Sequence, residues 1–361
     1  MDRFPRHAIG GEFELRAPVA SALAPPLGGM HGAYTASARS ALGIALRSAA
    51  SRGATRVLVP AYCCRSMLLP VRAIGMELVF YPIGANMEAL VRPELNDVVV
   101  IVHYFGWLNP ATEDLRQRLG WRLIEDATQA FLSDWKLPTA YEGTIISGAR
   151  KFAPTSLGGW VSGVEQDNIA PESRDLSILY HRAKEARRAR GRYLEDVRSG
   201  LASSEETQFL GAFQDLEDYL DAHPLEVGLP TDALALIASV DWKIVAARRK
   251  ENWQLVSRIL PDTVDRLFTN LPGSVVPLGC PVLLPRDSRN HVRAALARRR
   301  IYCPVHWILP NEVDSESQQE AHNLASRALT LPIDQRYSAE EMELLVKELS
   351  LAIERHANRG S

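Results

Sequence analysis

Apolar residues along the first half of the chain follow two different periods. Small and apolar residues at helical spacing occupy 40–51 and 66–74, and a further helix is predicted around 115–119. Short apolar runs typical of strands separate these helices, and they lie at 56–60, 77–81, 98–103, 122–125, 144–147 and 159–164. The alternation predicts an α/β fold with a mostly parallel central sheet that is covered by helices.

The chain from 174 to 260 is predominantly helical in pattern. The segment 181–198 is rich in arginine and has few large apolar residues, which favours a solvated or intersubunit helix over a phosphate-binding patch. The segment 232–260 is a long amphipathic stretch that predicts one or two helices.

The pattern changes after Pro261. A strand is predicted at 281–284, a helix at 288–300, a strand or rim loop at 301–307 and a last helix at 338–353. We therefore predict a large α/β domain over 1–260, which includes an N-terminal arm and the helical segment 174–260. A smaller C-terminal α+β domain is predicted over 261–361.

Composition and charge exclude several classes of protein. The 361 residues are 46% hydrophobic and 23% charged, which is the average of globular proteins and not that of disordered or fibrous chains. With 41 basic and 43 acidic residues the formal charge is −2, so no field of one sign favours nucleic acid or an anionic membrane. The strongest apolar run, 98–102, is too short to cross a bilayer, and residues 1–11 lack the apolar stretch of a signal peptide.

Four cysteines occur: Cys63, Cys64, Cys280 and Cys303. They form no C-x-x-C pair, and the adjacent Cys63 and Cys64 are poorly placed to bridge each other. We expect four reduced thiols in a cytoplasmic protein and no metal site.

The residues after the predicted strands should meet at one edge of the sheet. In parallel α/β sheets ligands bind at the carboxyl ends of the strands. This rule brings four segments together: 60–64, 103–106, 126–129 and 147–151.

Two residues at this edge carry chemistry. Lys151 follows a buried strand and precedes Phe152, so desolvation should lower the pKa of its amine and suit it to a Schiff base with an aldehyde cofactor. Asp126 ends the preceding strand, where a carboxylate commonly holds a ribose, a metal or a pyridinium nitrogen. A ribose site is disfavoured because the sequence has no G-x-G-x-x-G turn. A metal site is disfavoured because Glu125 should lie on the opposite face of the strand, so that Asp126 has no further ligand beside it. One carboxylate suffices for the pyridinium of pyridoxal phosphate.

The residues Ser37, Arg39 and Ser40 precede a helix of small residues. They could hold a phosphate at the helix N-terminus, or Ser37 could be an ordinary N-cap; the sequence leaves both interpretations open.

Together these motifs resemble the DegT/StrS family of pyridoxal-phosphate-dependent sugar aminotransferases. Lys151 precedes the pair Gly158 and Gly159 by the seven and eight residues typical of the family, and EDATQA at 125–130 is a near match to its Asp-Ala-Ala-Gln segment. The similarity runs from about residue 34 to the C-terminus and includes 248–252 and 301–307. It implies the type I fold of aspartate aminotransferase.

The resemblance also implies roles for individual residues. Lys151 would hold the cofactor as a Schiff base and shuttle the proton between substrate and cofactor. Asp126 would pair with the pyridine nitrogen, and Gln129 would face the ring or its 3-hydroxyl. Arg39 and Ser40 would lie at the phosphate, with the Ser147 hydroxyl as a further contact, and His306 would lie on the substrate side.

Several positions depart from the family pattern. Arg39 replaces the threonine of the helix start, and Cys64 stands where the family has an aromatic residue that stacks on the ring, which leaves Tyr62 as the stacking candidate. The family's Asn-Tyr-Arg segment, whose asparagine reaches across the dimer, is replaced by Leu-Pro-Thr at 229–231.

The implied activity is transfer of an amino group from an amino acid, commonly glutamate, to a keto-sugar that is commonly nucleotide-linked, in polysaccharide or glycan precursor biosynthesis. The implied assembly is a homodimer. Two alternatives on the same fold are a sugar dehydratase, against which Lys151 argues because those enzymes carry histidine there, and a non-catalytic relative with a regulatory or structural role. A desulfurase would need one of Cys63, Cys64 or Cys303 as a nucleophilic thiol.

Overall fold

The computed structural model describes residues 8–15, 30–200 and 206–360. Within these residues the chain forms, in order, β1 (Ile9–Gly10), β2 (Gly32–Thr35), α1 (Ala38–Ser51), β3 (Arg56–Pro60), α2 (Arg65–Ile74), β4 (Glu77–Tyr81), β5 (Asp97–Val102), α3 (Thr112–Leu119), β6 (Leu123–Asp126), β7 (Thr144–Gly148), β8 (Gly159–Ser162), α4 (Arg174–Ser199), α5 (Glu206–Ala222), α6 (Thr231–Ala238), α7 (Trp242–Ile259), β9 (Asp265–Arg266), β10 (Cys280–Leu283), α8 (Arg289–Arg298), β11 (Ile301–Tyr302), α9 (Gln319–Arg327), β12 (Ala328–Leu331) and α10 (Ala339–Gly360).

A seven-stranded sheet forms the centre of the molecule, in the order β2-β8-β7-β6-β5-β3-β4. The five strands from β7 to β4 pair in parallel, whereas β8 and β2 add antiparallel strands at one edge. Every residue of β5 is buried, as expected for a β-branched strand that helices cover on both faces. The predicted α/β class with a mostly parallel sheet is confirmed.

Helix α1 begins where its sequence supplies a cap. The Ser37 hydroxyl accepts a hydrogen bond from the Ser40 amide, and the Ser40 hydroxyl accepts one from the Ser37 amide, which completes a capping box. The N-cap interpretation of Ser37 is therefore confirmed. Both serine side chains are used within the cap, at the end of α1 that faces the carboxyl edge of the sheet.

The arginine-rich segment 181–198 lies in α4, and one face of it is buried, so the expectation of a solvated helix holds only in part and that of an intersubunit helix stays a prediction. The Arg187 guanidinium donates to the Phe13 carbonyl at 2.7 Å and to the Glu12 carboxylate at 2.8 Å. Arg190 donates to the Gly10 and Glu12 carbonyls. These arginines can be buried because the N-terminal segment 10–13 supplies hydrogen-bond acceptors for them. The pattern of residues along the helix does not indicate these acceptors.

The predicted stretch 232–260 divides into α6 and α7. The Asp241 carboxylate accepts hydrogen bonds from the Lys243 and Ile244 amides and starts the second helix. The last turns of α7 pack with the C-terminal elements, since Trp253, Val256 and Leu260 share one hydrophobic cluster with β10, α8 and α10. The domain boundary near 260 stays a prediction.

In the C-terminal part, β10 pairs antiparallel with β12 and with β9. Of the segment 301–307 only Ile301 and Tyr302 form a strand, and they pair in parallel with Ile9 and Gly10. This register ties the N-terminal segment to the C-terminal part of the molecule.

Within the described residues, no helix has the length and apolar character needed to span a membrane. All four cysteines are free thiols, as predicted.

Candidate functional site

A small cavity lies at the carboxyl edge of the sheet, and it brings Lys151 and Asp126 together. Fourteen residues line it: Ser37, Ala38, Arg39, Leu42, Cys64, Ser66, Met67, Asp126, Thr128, Ile146, Gly148, Arg150, Lys151 and Gly158. They come from the N-terminus of α1, from the start of α2, and from the segments that follow β6 and β7. The convergence predicted from strand order therefore holds for Cys64, Asp126 and Lys151.

Asp126 is the last residue of β6 and is 7% exposed. Strand β6 pairs in parallel with β7, with Asp126 opposite Ile146, so the two strands end at the same edge. The Thr128 amide donates a hydrogen bond to the Asp126 carboxylate at 2.8 Å, which fixes the rotamer of that side chain. Strand geometry and a local turn thus aim the carboxylate at the cavity.

Glu125 points to the opposite face of β6, as the alternation predicts. Its fully buried carboxylate contacts His103 Nε2 at 2.9 Å, the Arg116 guanidinium at 2.8 and 3.0 Å, and the Tyr141 hydroxyl at 2.6 Å. The Asn109 amide donates to His103 Nδ1, so Nε2 is the donor to Glu125. This cluster is internal to the fold and holds β6 from behind Asp126.

Lys151 ends a single helical turn, 149–151, that follows β7. Among the described residues its Nζ makes no hydrogen bond or ion pair, and it lies 5.9 Å from the centre of the Trp307 ring. Burial lowers the pKa of the Lys151 amine, and the neighbouring Cys64 and Asp126 offset only part of that effect. The predicted desolvated amine is therefore present at the end of the strand.

Two residues distant in sequence hold the backbone of this turn. Arg249 of α7 donates to the Lys151 carbonyl at 3.3 Å, and Gln335 donates to the Phe152 carbonyl at 2.8 Å. Arg249 also donates to Gln335 Oε1 and stacks 4.6 Å from the Phe152 ring. Arg249 lies within the segment 248–252 that the family resemblance includes, but nothing in that segment indicates this contact, because an arginine within an amphipathic helix is ordinarily solvated. No sequence motif pointed to Gln335.

Arg39 and Arg150 both line the small cavity. Each also pairs with Glu217 of α5, Arg39 at 2.6 Å. The Nε and Nη1 atoms of Arg39 are buried and have no hydrogen-bond partner among the described residues. Arg150 was not among the predicted site residues, although a cation directly before the lysine was visible in the sequence.

Four predicted cofactor residues lie behind the cavity wall instead of on it. The Ser40 hydroxyl is held in the α1 cap, and the Ser147 hydroxyl donates to the Ala127 carbonyl at 2.9 Å. The Gln129 carboxamide accepts a hydrogen bond from the Phe105 amide at 2.6 Å, at a fully buried position. These side chains satisfy backbone groups at the edge of the sheet, which fixes the loops that carry Asp126 and Lys151.

Tyr62 is also fully buried and is not among the residues that line the cavity. Its ring packs 5.7 Å from the Tyr104 ring and 5.4 Å from the Trp307 ring. Among the described residues, the cavity wall at this position is formed by Cys64 and Met67 and contains no aromatic ring. The structure therefore does not bring Tyr62 to the place where a ring would stack.

A second cavity, of about 670 Å³, adjoins the first and shares Arg150 and Lys151 with it. The segment 10–13, the exposed face of α8 and residues 301–306 form its other walls. Its volume falls within the ~300–1,000 Å³ that small-molecule sites occupy. Arg249, Arg293 and Arg336 give it a basic lining, although Arg336 is paired with Glu14 and Asp334.

His306, which the resemblance placed on the substrate side, lines this second cavity. Its Nδ1 contacts the Thr330 hydroxyl at 2.8 Å. Burial, and then the nearby Lys151 ammonium, lower the pKa of His306 to about 3. The imidazole is therefore neutral near pH 7 and can exchange hydrogen bonds with an uncharged polar group.

The residues present fit pyridoxal phosphate by their chemistry. A carboxylate, an amine and an arginine line one cavity; within the described residues the amine makes no hydrogen bond and two buried nitrogens of the arginine have no partner. These are the groups required by a pyridinium nitrogen, an aldehyde and a phosphate. The small cavity has a volume of about 100 Å³, below the usual range of ligand sites, so its walls must move to admit the whole cofactor.

Part of the chain that carries this site is similar in sequence to a known family of enzymes. Residues 17–145 match the model of the DegT/DnrJ/EryC1/StrS aminotransferase family. The match includes Arg39, Cys64 and Asp126, and it ends six residues before Lys151. The predicted resemblance to this family of aminotransferases is confirmed over these residues. No curated protein matches the chain in sequence.

Solved structures share the fold over most of the chain. A putative sugar aminotransferase from Streptococcus pneumoniae, Spr1654 in its PMP form, is 16% identical with a TM-score of 0.64, over 91% of this chain and 87% of that one. DesI, solved in the presence of its TDP-sugar product, is 18% identical with a TM-score of 0.62, over 92% and 83%. DesV of S. venezuelae, in complex with a ketimine intermediate, is 18% identical with a TM-score of 0.58, over 89% and 84%. The predicted fold, that of pyridoxal-phosphate-dependent aminotransferases, is confirmed.

Proposed function

We propose that this protein is a pyridoxal-phosphate-dependent aminotransferase that moves an amino group from an amino acid to a keto-sugar. The observation that carries the proposal is the placement of Lys151 and Asp126 on the wall of one cavity, after the ends of two adjacent parallel strands. The match of residues 17–145 to an aminotransferase family supports the same reaction class.

The protein's part in the chemistry is to hold reactive side chains next to the cofactor. When bound, pyridoxal 5'-phosphate supplies an aldehyde that takes up the amino group and a ring that accepts electrons. The lowered pKa of Lys151 increases the fraction of its amine that is neutral and nucleophilic near pH 7. The same Nζ, which makes no hydrogen bond to any residue that the structure describes, is the group that would remove and return the substrate proton.

Asp126 would hold the protonated ring nitrogen. Its carboxylate is nearly buried and its rotamer is set by the Thr128 amide, so little reorientation is needed when a cation arrives. Gln129 and Ser147 would act indirectly, because their side chains support the loops on either side of the site.

The second cavity would receive the two substrates in turn. It is large enough for a sugar, and it opens onto Lys151. Its arginines would attract the carboxylates of an amino donor such as glutamate or the phosphates of a nucleotide-linked acceptor. Neutral His306 would hydrogen-bond an uncharged hydroxyl or carbonyl group. DesI, whose structure contains a TDP-sugar product, supports the choice of a nucleotide-linked sugar, as used in glycan or polysaccharide precursor biosynthesis.

Absorbance spectroscopy tests the first half-reaction. The purified protein mixed with pyridoxal phosphate should turn yellow, and the colour should be lost in Lys151→Ala but kept in Lys250→Ala, whose half-buried side chain donates to the Gly273 carbonyl and does not line either cavity. Glutamate should bleach the colour. A yellow protein that no amino acid bleaches would instead support the non-catalytic alternative.

A panel of keto-sugars, free and nucleotide-linked, tests the second half-reaction. The amine product should form only when an amino donor has first been added, because the protein carries the amino group between the two substrates. Loss of a hydroxyl from the sugar without amine formation would support the dehydratase alternative. Burial raises the pKa of Cys63 and raises that of Cys303 to about 12, which disfavours these two thiols as the nucleophile of a desulfurase.

We also propose that two copies of the chain assemble, as the family resemblance implies, and that they act in the cytoplasm. The four free cysteines are consistent with a reducing compartment. Light scattering on the purified protein should give twice the 40.0 kDa of one chain. A mass of one chain at micromolar concentration would contradict the dimer.

A further inference from the structure

Glu217 on α5 joins two arginines that line the small cavity. Arg39 Nη2 lies 2.6 Å from one carboxylate oxygen of Glu217, and Arg150 pairs with the other oxygen. Arg39 also lies 3.1 Å from Asp221, one turn further along α5. Two cations on the cavity wall are therefore neutralised by two carboxylates from one helix.

The pairing leaves part of the binding capacity of Arg39 unused. Its side chain is 12% exposed, yet Nε and Nη1 have no partner among the described residues. A buried N–H without a hydrogen-bond acceptor destabilises the folded protein. The hydrogen-bond donors of Arg39 are thus only partly satisfied, and an anion with more oxygen atoms than a single carboxylate could accept from more of them.

The surroundings of the two arginines favour an anion. Arg39 is the second residue of α1, whose first turn contains no acidic residue, so the amide groups of that turn add positive potential. Burial opposes ionisation of Glu217, but the two guanidinium groups outweigh it and hold the pKa of Glu217 at about 2. Glu217 is therefore an anion throughout the neutral pH range.

We propose that Arg150, together with Arg39, binds the phosphate of the cofactor, and that Glu217 occupies this pair of arginines until the phosphate displaces it. The proposal rests on the proposed function. Each arginine can bind either the Glu217 carboxylate or a phosphate, and phosphate offers three acceptor oxygens and a higher charge. Displacement of Glu217 would also free the cavity wall to move, as its volume of about 100 Å³ requires.

Competition of this kind has a measurable consequence. The apparent dissociation constant of a ligand rises as the fraction of protein with a vacant site falls. Glu217 should therefore weaken the binding of pyridoxal phosphate and have no effect on pyridoxal, which has the same ring and aldehyde but no phosphate.

The test compares these two compounds by equilibrium dialysis against the full chain. Glu217→Gln should tighten pyridoxal phosphate at least about tenfold, which corresponds to ~1.4 kcal/mol, and leave pyridoxal unchanged. Arg150→Gln should weaken pyridoxal phosphate only. The matched control is Asp218→Asn, which lies on the same helix, is exposed and accepts a hydrogen bond from Gln214; it should alter the binding of neither compound.

A second measurement uses the wild type and does not depend on any variant folding. Hydrogen–deuterium exchange of 214–222 should accelerate when pyridoxal phosphate or inorganic phosphate is added, and not when pyridoxal is added. Two results would overturn the inference even if pyridoxal phosphate binds the wild type. One is a ratio of the affinities for pyridoxal phosphate and pyridoxal that is the same in Glu217→Gln as in the wild type, and the other is slower exchange of 214–222 when phosphate is added. If neither compound binds the wild type, the proposed function fails as well.

Discussion

The guanidinium of Arg249 donates a hydrogen bond to the main-chain oxygen of Lys151, 98 residues earlier in the chain. Arg249 is 1% exposed, and burial lowers its pKa to about 10. It also donates to the Pro277 and Leu278 carbonyls, so one side chain joins α7, the segment before β10 and the lysine turn. The position of the reactive amine therefore depends on contacts far from it in sequence.

Replacement of Arg249 should disturb this turn. We expect Arg249→Met to lower the free energy of unfolding by about 3–5 kcal/mol, since the carbonyl groups it leaves remain buried. It should also weaken pyridoxal binding. Urea denaturation and dialysis measure the two effects. Arg248→Met, at an exposed position that pairs with Glu251 one turn along the same helix, should change neither. Equal effects of the two variants would contradict the positioning role.

The amine of Lys151 should titrate below the ordinary lysine value of about 10.4. Competitive labelling with acetic anhydride at a series of pH values, read by mass spectrometry, gives the midpoint. Because Asp126 raises the pKa of Lys151, Asp126→Asn should lower the midpoint further. The urea-unfolded chain is the control and should return to the ordinary value. A midpoint at or above 10.4 in the folded protein would contradict the desolvated amine.

The cluster around Glu125 should make stability depend on acid pH. Burial alone would raise the pKa of Glu125, but His103 and Arg116 outweigh it and lower the pKa to about 2. The unfolded chain binds this proton near pH 4.5 and the folded chain near pH 2. The stabilisation is therefore complete above about pH 4.5 and is lost as the pH falls towards 2.

Glu125→Gln should cost about 3–5 kcal/mol at pH 7, because it leaves Arg116 buried without its charged partner. The difference from wild type should shrink as the pH falls from 4.5 towards 2, as measured by urea denaturation. Glu113→Gln, on the exposed side of α3, is the control and should cost little. A difference that stays constant over this range would contradict the cluster as the cause.

Gly159 permits β8 to approach the start of α1. A Cβ atom at this position would lie 2.1 Å from the Ser37 carbonyl oxygen, so the strand and the helix would have to separate. Gly159→Ala should destabilise the protein by about 1–3 kcal/mol and weaken cofactor binding. Gly211→Ala in α5, where no atom lies within 4 Å, should instead stabilise slightly. Thermal denaturation measures both effects, and a Gly159→Ala variant as stable as the wild type would contradict the close approach.

The sequence predicted that Asp126 and Lys151 lie near each other because their placement depends only on the strands that directly precede them. Asp126 and Lys151 each follow the end of a recognisable strand, and parallel strands place such positions at one edge. The family resemblance, and not the strand order, implied Gln129, Ser147 and Tyr62 as contacts of the cofactor. Their side chains instead bind backbone groups or pack among aromatic rings, because rotamers and neighbouring loops decide which side of an edge a residue faces.

Hydrophobic period, turn residues and motif spacing by themselves determined the fold class, the placement of Glu125 on the face of β6 opposite to Asp126, and the candidacy of Lys151 and Asp126. Only the tertiary structure decided that Glu217, Arg249 and Gln335 surround them, and that the arginines of α4 hold the N-terminal segment. The physical reason is the range of the interactions. Period and capping act over a few residues, whereas a buried charge takes whatever partner the packed chain brings within hydrogen-bond distance.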